Sequence, residues 1–235
     1  MVNRIPTGLL SGVQDDVYFD SSYESLEAAW AALAANGGGR LVLSKEHTTT
    51  APLTGQDFSF AIFNASAGGG PPITSGHAGK FLDWESTEQS WPVDTVAIDG
   101  LKLRSTVVSD NGIDLEGGGG PVNGAYRHCF IDALDAAPSD AFGTNSHFRN
   151  VIRLRNAHAP VIKEPASQFN SDTTVNCAHI FINNTPAANT FGGLIDRPNL
   201  QSMHIGIRVG GWAENIEIIG NEVVSDRYNV WADGS

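Results

Sequence analysis

The fold of this chain is decided by residues 21–53, which read SSYESLEAAWAALAANGGGRLVLSKEHTTTAPL. Ser21 and Glu24 have the spacing of a capping box, which predicts that a helix begins here. The apolar residues that follow recur at the i, i+3, i+4 and i+7 positions of one helical face, and the glycines at 37–39 predict the end of the helix. The residues on this face are Leu26, Ala29, Trp30 and Leu33.

Two runs typical of β-strands follow the glycines. Arg40–Ser44 is aliphatic, and Thr48–Thr50 is a run of β-branched residues. This order of helix, glycine run, buried strand and threonine-rich strand resembles the amino-terminal cap of the right-handed parallel β-helix family, the pectate-lyase-like superfamily that includes phage tailspikes. The resemblance implies an all-β fold: a single-stranded right-handed parallel β-helix, or solenoid, whose first coil is covered by a capping α-helix at residues 21–36.

An internal repeat points to the same architecture. Residues 96–105 align with residues 216–225, and residues 112–117 align with residues 206–211, with apolar residues and glycines at matching positions. The offsets are 120 and 94 residues, close to five and four units of roughly 24 residues, the size of one coil. The side chains predicted to stack in the core are Val96, Ile98, Leu103, Ile113, Leu115, Ile207, Val209, Ile216, Ile218 and Val223.

The residues before the helix are predicted to form an extended arm. Residues 1–20 lack hydrophobic periodicity and contain proline and glycine. Such an arm is either bound to another subunit or frayed, and in the bound case Ile5, Leu9 and Leu10 would anchor it. The predicted organisation is therefore a docking arm at residues 1–20 and one β-helix domain at residues 21–235.

The composition argues against several classes of function. The 235 residues carry a net charge of −12 without a lysine or arginine cluster, which disfavours nucleic acid as a partner. We identify no secretion signal and no apolar stretch of membrane-spanning length. Cys129 and Cys177 predict buried free thiols. The histidines lack zinc-type spacing, and neither a nucleophile elbow nor a phosphate-binding loop is present, so no metal or cofactor is predicted.

Asp114 and Glu116 are the candidate catalytic residues. They are two positions apart on a predicted strand, so their side chains share a face at about 7 Å, near the carboxylate separation of inverting glycosidases. Ile113 and Leu115 take the inner face, which places both acids on the outside of an acidic protein. Paired carboxylates are ordinary on a solvated face, and that interpretation stands beside the catalytic one.

Five aromatic residues are candidates for glycan binding. Their rings are rigid and amphipathic, and such rings could stack on sugars. The competing interpretation is that the same rings pack in the core or between subunits. The five residues are Trp84, Trp91, Trp212, Tyr228 and Trp231.

Three functions remain open after these observations. The family resemblance implies a phage virion surface protein, namely a tailspike, tail fibre or capsid-decorating spike, made in the host cytoplasm. It would be a homotrimer whose arm docks on other virion proteins and whose outer faces contact a host polysaccharide. The alternative is an enzyme, a polysaccharide lyase or glycoside hydrolase using Asp114 and Glu116. The third is a purely structural spike, because one solenoid fold can host several functions.

Overall fold

The structure is a computed structural model that describes residues 10, 12–65, 70–87, 94–117, 126–140, 145–168, 178–184, 190–211, 213–220 and 222–233. The helical elements within these ranges include α1 (Leu26–Ala35) and a 3-10 turn at Asp20–Ser22. The remaining elements are β-strands, and the strand pairs are parallel.

The helix begins one turn later than the capping-box prediction. Its N-cap is Ser25, whose Oγ accepts a hydrogen bond of 3.1 Å from the backbone N–H of Ala28. The prediction that Ser21 and Glu24 form the cap is wrong, because Ser21 lies within the preceding 3-10 turn. The apolar face was predicted correctly: Leu26, Ala29, Trp30 and Leu33 are buried against the first coil.

One sheet contains nine strands. Eight of them follow one another in the order β1, β2, β5, β8, β11, β15, β18 and β20, and β14 pairs with β11. The strands are β1 (Val17–Phe19), β2 (Gly38–Leu43), β5 (Ser59–Asn64), β8 (Thr95–Asp99), β11 (Tyr126–Asp132), β14 (Ala157–His158), β15 (Val161–Lys163), β18 (Thr190–Asp196) and β20 (Ala213–Ile219).

A second sheet contains twelve strands in two runs that meet at β19. The first run is β3 (His47–Thr49), β6 (Ile73–Ser75), β9 (Lys102–Ser105), β12 (Asp135–Pro138) and β16 (Ala166–Gln168). The second is β4 (Leu53–Gln56), β7 (Leu82–Ser86), β10 (Val108–Gly117), β13 (His147–Arg155) and β17 (Ala178–Asn184). The long strand β19 (Asn199–Gly211) continues both runs and pairs with β21 (Glu222–Ala232). The nine-stranded sheet and the two runs of the second sheet thus form three stacks of parallel strands. Together with one helix, these stacks are compatible with a parallel β-helix.

The internal repeat is confirmed by the strand register. Ile98 and Ile218 belong to one column of paired positions, Leu103 and Val223 to another, and Ile113 and Ile207 to a third. The predicted number of coils is wrong. Successive members of the first column are 33, 31, 33 and 23 residues apart, so four coils separate its ends rather than five. The members of that column are Ile98, Ile131, Ile162, Ile195 and Ile218.

The predicted core residues are buried except near the last coil. Val209, Ile216 and Val223 are half-buried and pack against the core, and Ile218 is exposed. The predicted residues that are buried are Val96, Ile98, Leu103, Ile113, Leu115 and Ile207.

Asp20 fixes the corner between β2 and β3. Its buried carboxylate accepts hydrogen bonds from the backbone N–H groups of Ser44 and Lys45, at 2.9 and 3.1 Å. It also accepts from Ser44 Oγ at 2.5 Å and contacts His47 Nε2 at 2.9 Å. Burial raises the pKa of Asp20, but these hydrogen bonds together outweigh burial, so the pKa lies below its ordinary value. The carboxylate is therefore held in its charged form.

The segment predicted as an arm is partly integrated into the fold. Val17–Phe19 forms the first strand of the nine-stranded sheet and pairs with β2. Leu10 is buried in a small cluster on the outside of that sheet, in which Phe63 and Phe130 take part. Ile5 and Leu9 lie outside the described residues. Docking of this segment on a partner stays a prediction.

Candidate functional site

Two columns of side chains run along the outer face of the strands β4, β7, β10, β13, β17, β19 and β21, and we call this surface the ladder face. On each of these strands, the residues between the buried core positions point outward. The first column is Thr54, Asp83, Asp114, Arg153, Phe181, Arg208 and Trp231. The second is Gln56, Glu85, Glu116, Arg155, Asn183 and Gly210.

Asp114 lies in the middle of the ladder face and is only 1% exposed. Its Oδ1 contacts Arg153 Nη1 at 2.8 Å, and its Oδ2 contacts Lys80 Nζ at 3.1 Å. Asn111 Nδ2 donates a further hydrogen bond of 2.6 Å to Oδ2. Both oxygens of this carboxylate are therefore neutralised by neighbouring cations, although the residue belongs to an outward-pointing column.

Glu116 is also ion-paired. Its Oε1 contacts Arg155 Nη1 at 2.5 Å, and its Oε2 lies 3.8 Å from Arg153 Nη1. The sequence placed Asp114 and Glu116 on one outer face, and the structure does so as well. The geometry shows ion pairs that link β10 to β13, and a catalytic role for the two acids stays a prediction.

Lys80 joins two neighbouring strands at this site. Its Nζ lies 2.8 Å from Asp83 Oδ1, in addition to its contact with Asp114. Burial lowers the pKa of Lys80, but the hydrogen bond to Asp83 and the charge of Asp114 raise it more, so the pKa lies above its ordinary value. Lys80 therefore remains a cation that neutralises part of the negative charge on the acidic half of the ladder face.

A cleft of about 340 Å³ opens at the helix-capped end of the ladder face. Its lining residues are Thr54, Gly55, Gln56, Asp83 and Glu85. Glu85 is exposed, and no cation within the described residues forms an ion pair with it. The cleft thus offers a hydroxyl, an amide and two carboxylates, one of them held by Lys80. These groups can form hydrogen bonds with a polar ligand.

An aromatic cluster occupies the opposite end of the ladder face. The Arg208 guanidinium lies between two rings, with its Cζ 4.6 Å from the centroid of Phe181 and 4.8 Å from that of Trp231. Asp233 fixes the guanidinium through contacts of 2.7 and 2.6 Å. Tyr228 packs on Trp231 with the ring centroids 5.3 Å apart and is 39% exposed. Two of the predicted glycan-binding residues, Tyr228 and Trp231, are therefore adjacent on one surface.

The other predicted glycan-binding residues are not part of this cluster. Trp84 is fully buried and packs edge-on against Phe60, so its ring has no face available to a sugar. Its assignment to glycan binding is corrected, because the residue occupies an inward position of β7. Trp91 and Trp212 lie outside the described residues.

Sequence reasoning missed the cations and one ring of the ladder face. Lys80, Arg153 and Arg208 were not singled out, nor was Phe181. Each of the last three lies directly between two aliphatic residues of its strand, but only the strand register shows that they form a single column. The alternation of inward and outward residues could therefore have marked these positions as outward. Predicting that they are neighbours also required the correct coil lengths.

The described residues contain no group of three or more histidine, cysteine, aspartate or glutamate side chains arranged to hold a metal ion. Within the same part of the chain, no helix has the length and apolar character needed to cross a membrane. Comparisons with protein-family models, with curated proteins and with solved structures find no significant match for the chain.

Proposed function

We propose that this chain is a single-stranded right-handed parallel β-helix that binds a glycan through the aromatic end of its ladder face. The observation that carries the proposal is the cluster of Phe181, Arg208, Trp231 and Tyr228. Aromatic rings give a sugar a flat apolar surface, while an arginine and a tyrosine hydroxyl supply hydrogen bonds at its edge. The cluster combines these features on one partly exposed surface.

The shape of the ladder face supports an extended glycan as the ligand. Strands in one sheet are about 4.8 Å apart, so the seven positions from Thr54 to Trp231 extend over about 29 Å. Polar groups line this surface from the cleft to the aromatic cluster. A polysaccharide chain lying along the coil axis would meet the hydrogen-bonding groups of the cleft at one end and a stacking surface at the other.

The biological setting that we propose is the surface of a phage virion, where the protein is a homotrimeric spike that contacts a host polysaccharide. This part rests on the resemblance of residues 21–53 to the cap of the tailspike-containing family. Sedimentation equilibrium of the purified chain tests the trimer. A mass of three chains is expected, and a stable monomer at micromolar concentration would exclude it.

Glycan binding is tested with Trp231→Ala against a panel of purified bacterial capsular and O-antigen polysaccharides. Removing one stacking ring costs about 1 kcal/mol, which corresponds to about fivefold weaker binding. Tyr228→Ala is expected to have a similar effect. Phe19→Ala is the matched control, because Phe19 is an exposed aromatic residue on β1, in the coil under the helix. Binding measured by fluorescence titration should be unchanged in the control.

Two results would contradict this proposal. The first is that no polysaccharide in the panel binds the unmodified chain. The second is that Trp231→Ala and Tyr228→Ala bind as tightly as the unmodified chain while retaining its circular dichroism spectrum.

The cleft favours a second function, hydrolysis of a polysaccharide. Asp83 and Glu85 are two positions apart on β7, so they share the carboxylate spacing that inverting glycosidases use. Glu85 faces the cleft and is exposed. Release of reducing sugar from a bound polysaccharide, abolished by Glu85→Gln, is expected under this alternative. Glycan binding without release of reducing ends would exclude it.

A further inference from the structure

The acidic half of the ladder face carries more carboxylates than the cations of the described residues neutralise. Where β7 and β10 pair, four carboxylates point outward, and three cations form ion pairs with them. The carboxylates are those of Asp83, Glu85, Asp114 and Glu116, and the cations are Lys80, Arg153 and Arg155. Each of these acids except Glu85 is paired with a cation. The excess negative charge therefore lies on Glu85.

Glu85 lies in the cleft beside other hydrogen-bond acceptors. Its paired position on β4 is Gln56, and the pair two residues earlier is Thr54 and Asp83. All four residues line the cleft of about 340 Å³, and Thr54, Gln56 and Glu85 are exposed. Neighbouring strands are about 4.8 Å apart, so a hydroxyl oxygen, an amide oxygen and a carboxylate can contact one ligand group together. The cleft thus presents several acceptors around an unpaired negative charge.

This arrangement suits a primary ammonium group. An ammonium group has three N–H donors, no acceptor and a positive charge. Glu85 would neutralise the charge, while the Gln56 amide oxygen and the Thr54 hydroxyl oxygen would accept its other protons. An acetamido group fits the same cleft poorly, because it has one N–H, turns a carbonyl acceptor toward acceptors and brings no charge to Glu85. The cleft therefore discriminates between a free amine and its acetylated form.

The charge of the whole chain favours the same kind of ligand. Its net charge of −12 attracts cationic ligands and repels anionic ones before any contact is made. A glycan that carries carboxylates or sulfates would be opposed by this field and again by Glu85 in the cleft. The long-range field and the local contact thus both select a glycan with positive charge.

We propose that the glycan on the ladder face carries free amino groups and that the cleft binds one of them as an ammonium ion on Glu85. This inference rests on the proposed binding of a glycan along the ladder face. Five strand spacings separate β7 from β21, so the cleft lies about 24 Å from the aromatic cluster. One part of the glycan would stack on the aromatic cluster while an amino sugar further along the chain contacts Glu85. The two contacts use different residues, so each can be removed separately.

The test uses three fluorescently labelled probes, namely hexamers of glucosamine, of N-acetylglucosamine and of lysine. Binding to the full chain is measured by fluorescence anisotropy in mildly acidic buffer, which keeps the sugar amines protonated. The glucosamine hexamer should bind about fivefold tighter than the N-acetylglucosamine hexamer, and this preference should weaken with added salt. The lysine hexamer has the same number of side-chain ammonium groups but no sugar rings to stack on Trp231 and Tyr228, so it should bind more weakly than the glucosamine hexamer.

Glu85→Gln is the decisive variant, because it removes the unpaired charge and keeps the shape of the side chain. The glucosamine hexamer should bind about fivefold more weakly to it, and binding of the N-acetylglucosamine hexamer should be unchanged. Gln56→Glu adds a carboxylate beside Glu85 and should strengthen binding of the glucosamine hexamer by a similar factor. Glu46→Gln is the matched control, because Glu46 is an exposed glutamate between β2 and β3, outside the ladder face. It changes the net charge equally and should change neither affinity.

Failure of this inference and failure of glycan binding at the aromatic cluster give different results. Equal affinity for the two sugar hexamers, weakened by Trp231→Ala and unaffected by Glu85→Gln, would overturn the amino-sugar assignment and leave glycan binding in place. A preference for the glucosamine hexamer that depends on Glu85 and not on Trp231 would support the amino-sugar cleft and contradict the role of the aromatic cluster.

Three further outcomes would overturn the inference. The first is that neither sugar hexamer binds, in which case the polysaccharide panel alone decides whether the chain binds a glycan. The second is that Glu46→Gln weakens binding as much as Glu85→Gln, because general attraction between charges would then explain the preference. The third is that the lysine hexamer binds as tightly as the glucosamine hexamer and depends equally on Glu85, since the cleft would then bind ammonium groups without regard to the sugar.

Discussion

His179 is expected to make the fold sensitive to mild acid. It is an inward residue of β17, and its Nδ1 is hydrogen-bonded to Ser167 Oγ in the interior. Burial lowers the pKa of His179 from 6.5 to about 3, and the backbone carbonyl of Gln201 offsets only part of this effect. The imidazole is therefore neutral in the folded chain at any pH above that value.

The size of this pH effect on stability follows from the difference in protonation of His179 between the folded and the unfolded chain. Between pH 6.5 and about 3, the unfolded chain binds a proton at this histidine and the folded chain does not. Stability therefore falls as the pH falls, by up to about 1.4 kcal/mol per pH unit. From pH 7 to pH 5 the expected loss from His179 is about 2 kcal/mol, and His77, whose pKa is also lowered by burial, adds a loss in the same range. Asp20 and Glu27, whose pKa values are also lowered, add losses only as the pH falls through pKa values below 3.8 and 4.5.

The assay is equilibrium urea unfolding at pH 7, 6 and 5, followed by tryptophan fluorescence, for the unmodified chain and His179→Asn. Asparagine retains a partner for Ser167 and does not titrate, so its free energy of unfolding should be about 2 kcal/mol less sensitive to this pH change. His158→Asn, at a half-buried position of β14, is the matched control and should behave like the unmodified chain. Equal losses of stability in the unmodified chain and His179→Asn would refute the reasoning.

Two other variants test the corner that Asp20 holds between β2 and β3 and the ion pairs in the middle of the ladder face. Asp20→Asn should lower the free energy of unfolding at pH 7 by about 3 kcal/mol, because a buried charged acceptor of several hydrogen bonds is removed. The difference from the unmodified chain should shrink as the pH falls through the lowered pKa of Asp20, and a pH-independent difference would contradict this explanation. Asp114→Asn/Glu116→Gln should lower stability by about 3 kcal/mol and leave Arg153 without its main partner. Unchanged thermal stability with complete loss of glycan hydrolysis would instead assign these acids to catalysis.

Short-range patterns in the sequence were sufficient to predict the inner columns. Alternating aliphatic residues mark the core positions of strands. Each of the two alignments joins segments about a hundred residues apart, and both identified members of the same column. The coil count failed because coils differ in length: the step from Ile113 to Ile152 is 39 residues and that from Ile180 to Ile207 is 27. The segments connecting the strands can vary in length without moving a side chain out of its column.

The ladder face could not be predicted in the same way. Its contacts join residues on different coils, and their sequence separation depends on the length of each coil. Arg153 and Asp114 are 39 residues apart, and Arg208 and Asp233 are 25 residues apart. A similar limit applies to the aromatic residues, because the residue type alone does not distinguish a core ring from a surface ring. Trp84 is a core ring only because it occupies an inward position on β7. The helix start failed for a local reason, since three serines precede the helix and any of them could be the cap.

The helix α1 covers one end of the described stack, so the coils of that stack differ in what they pack against. In a stack of coils each coil contacts only its neighbours, so the energy of local opening depends on how many neighbours a coil has. β20 and β21 have a coil on one side only within the described chain, whereas the first coil also packs on Leu26, Trp30 and Leu33 of α1. In the chain of 235 residues, amide hydrogen exchange should therefore be faster in β20 and β21 than in β5 and β8.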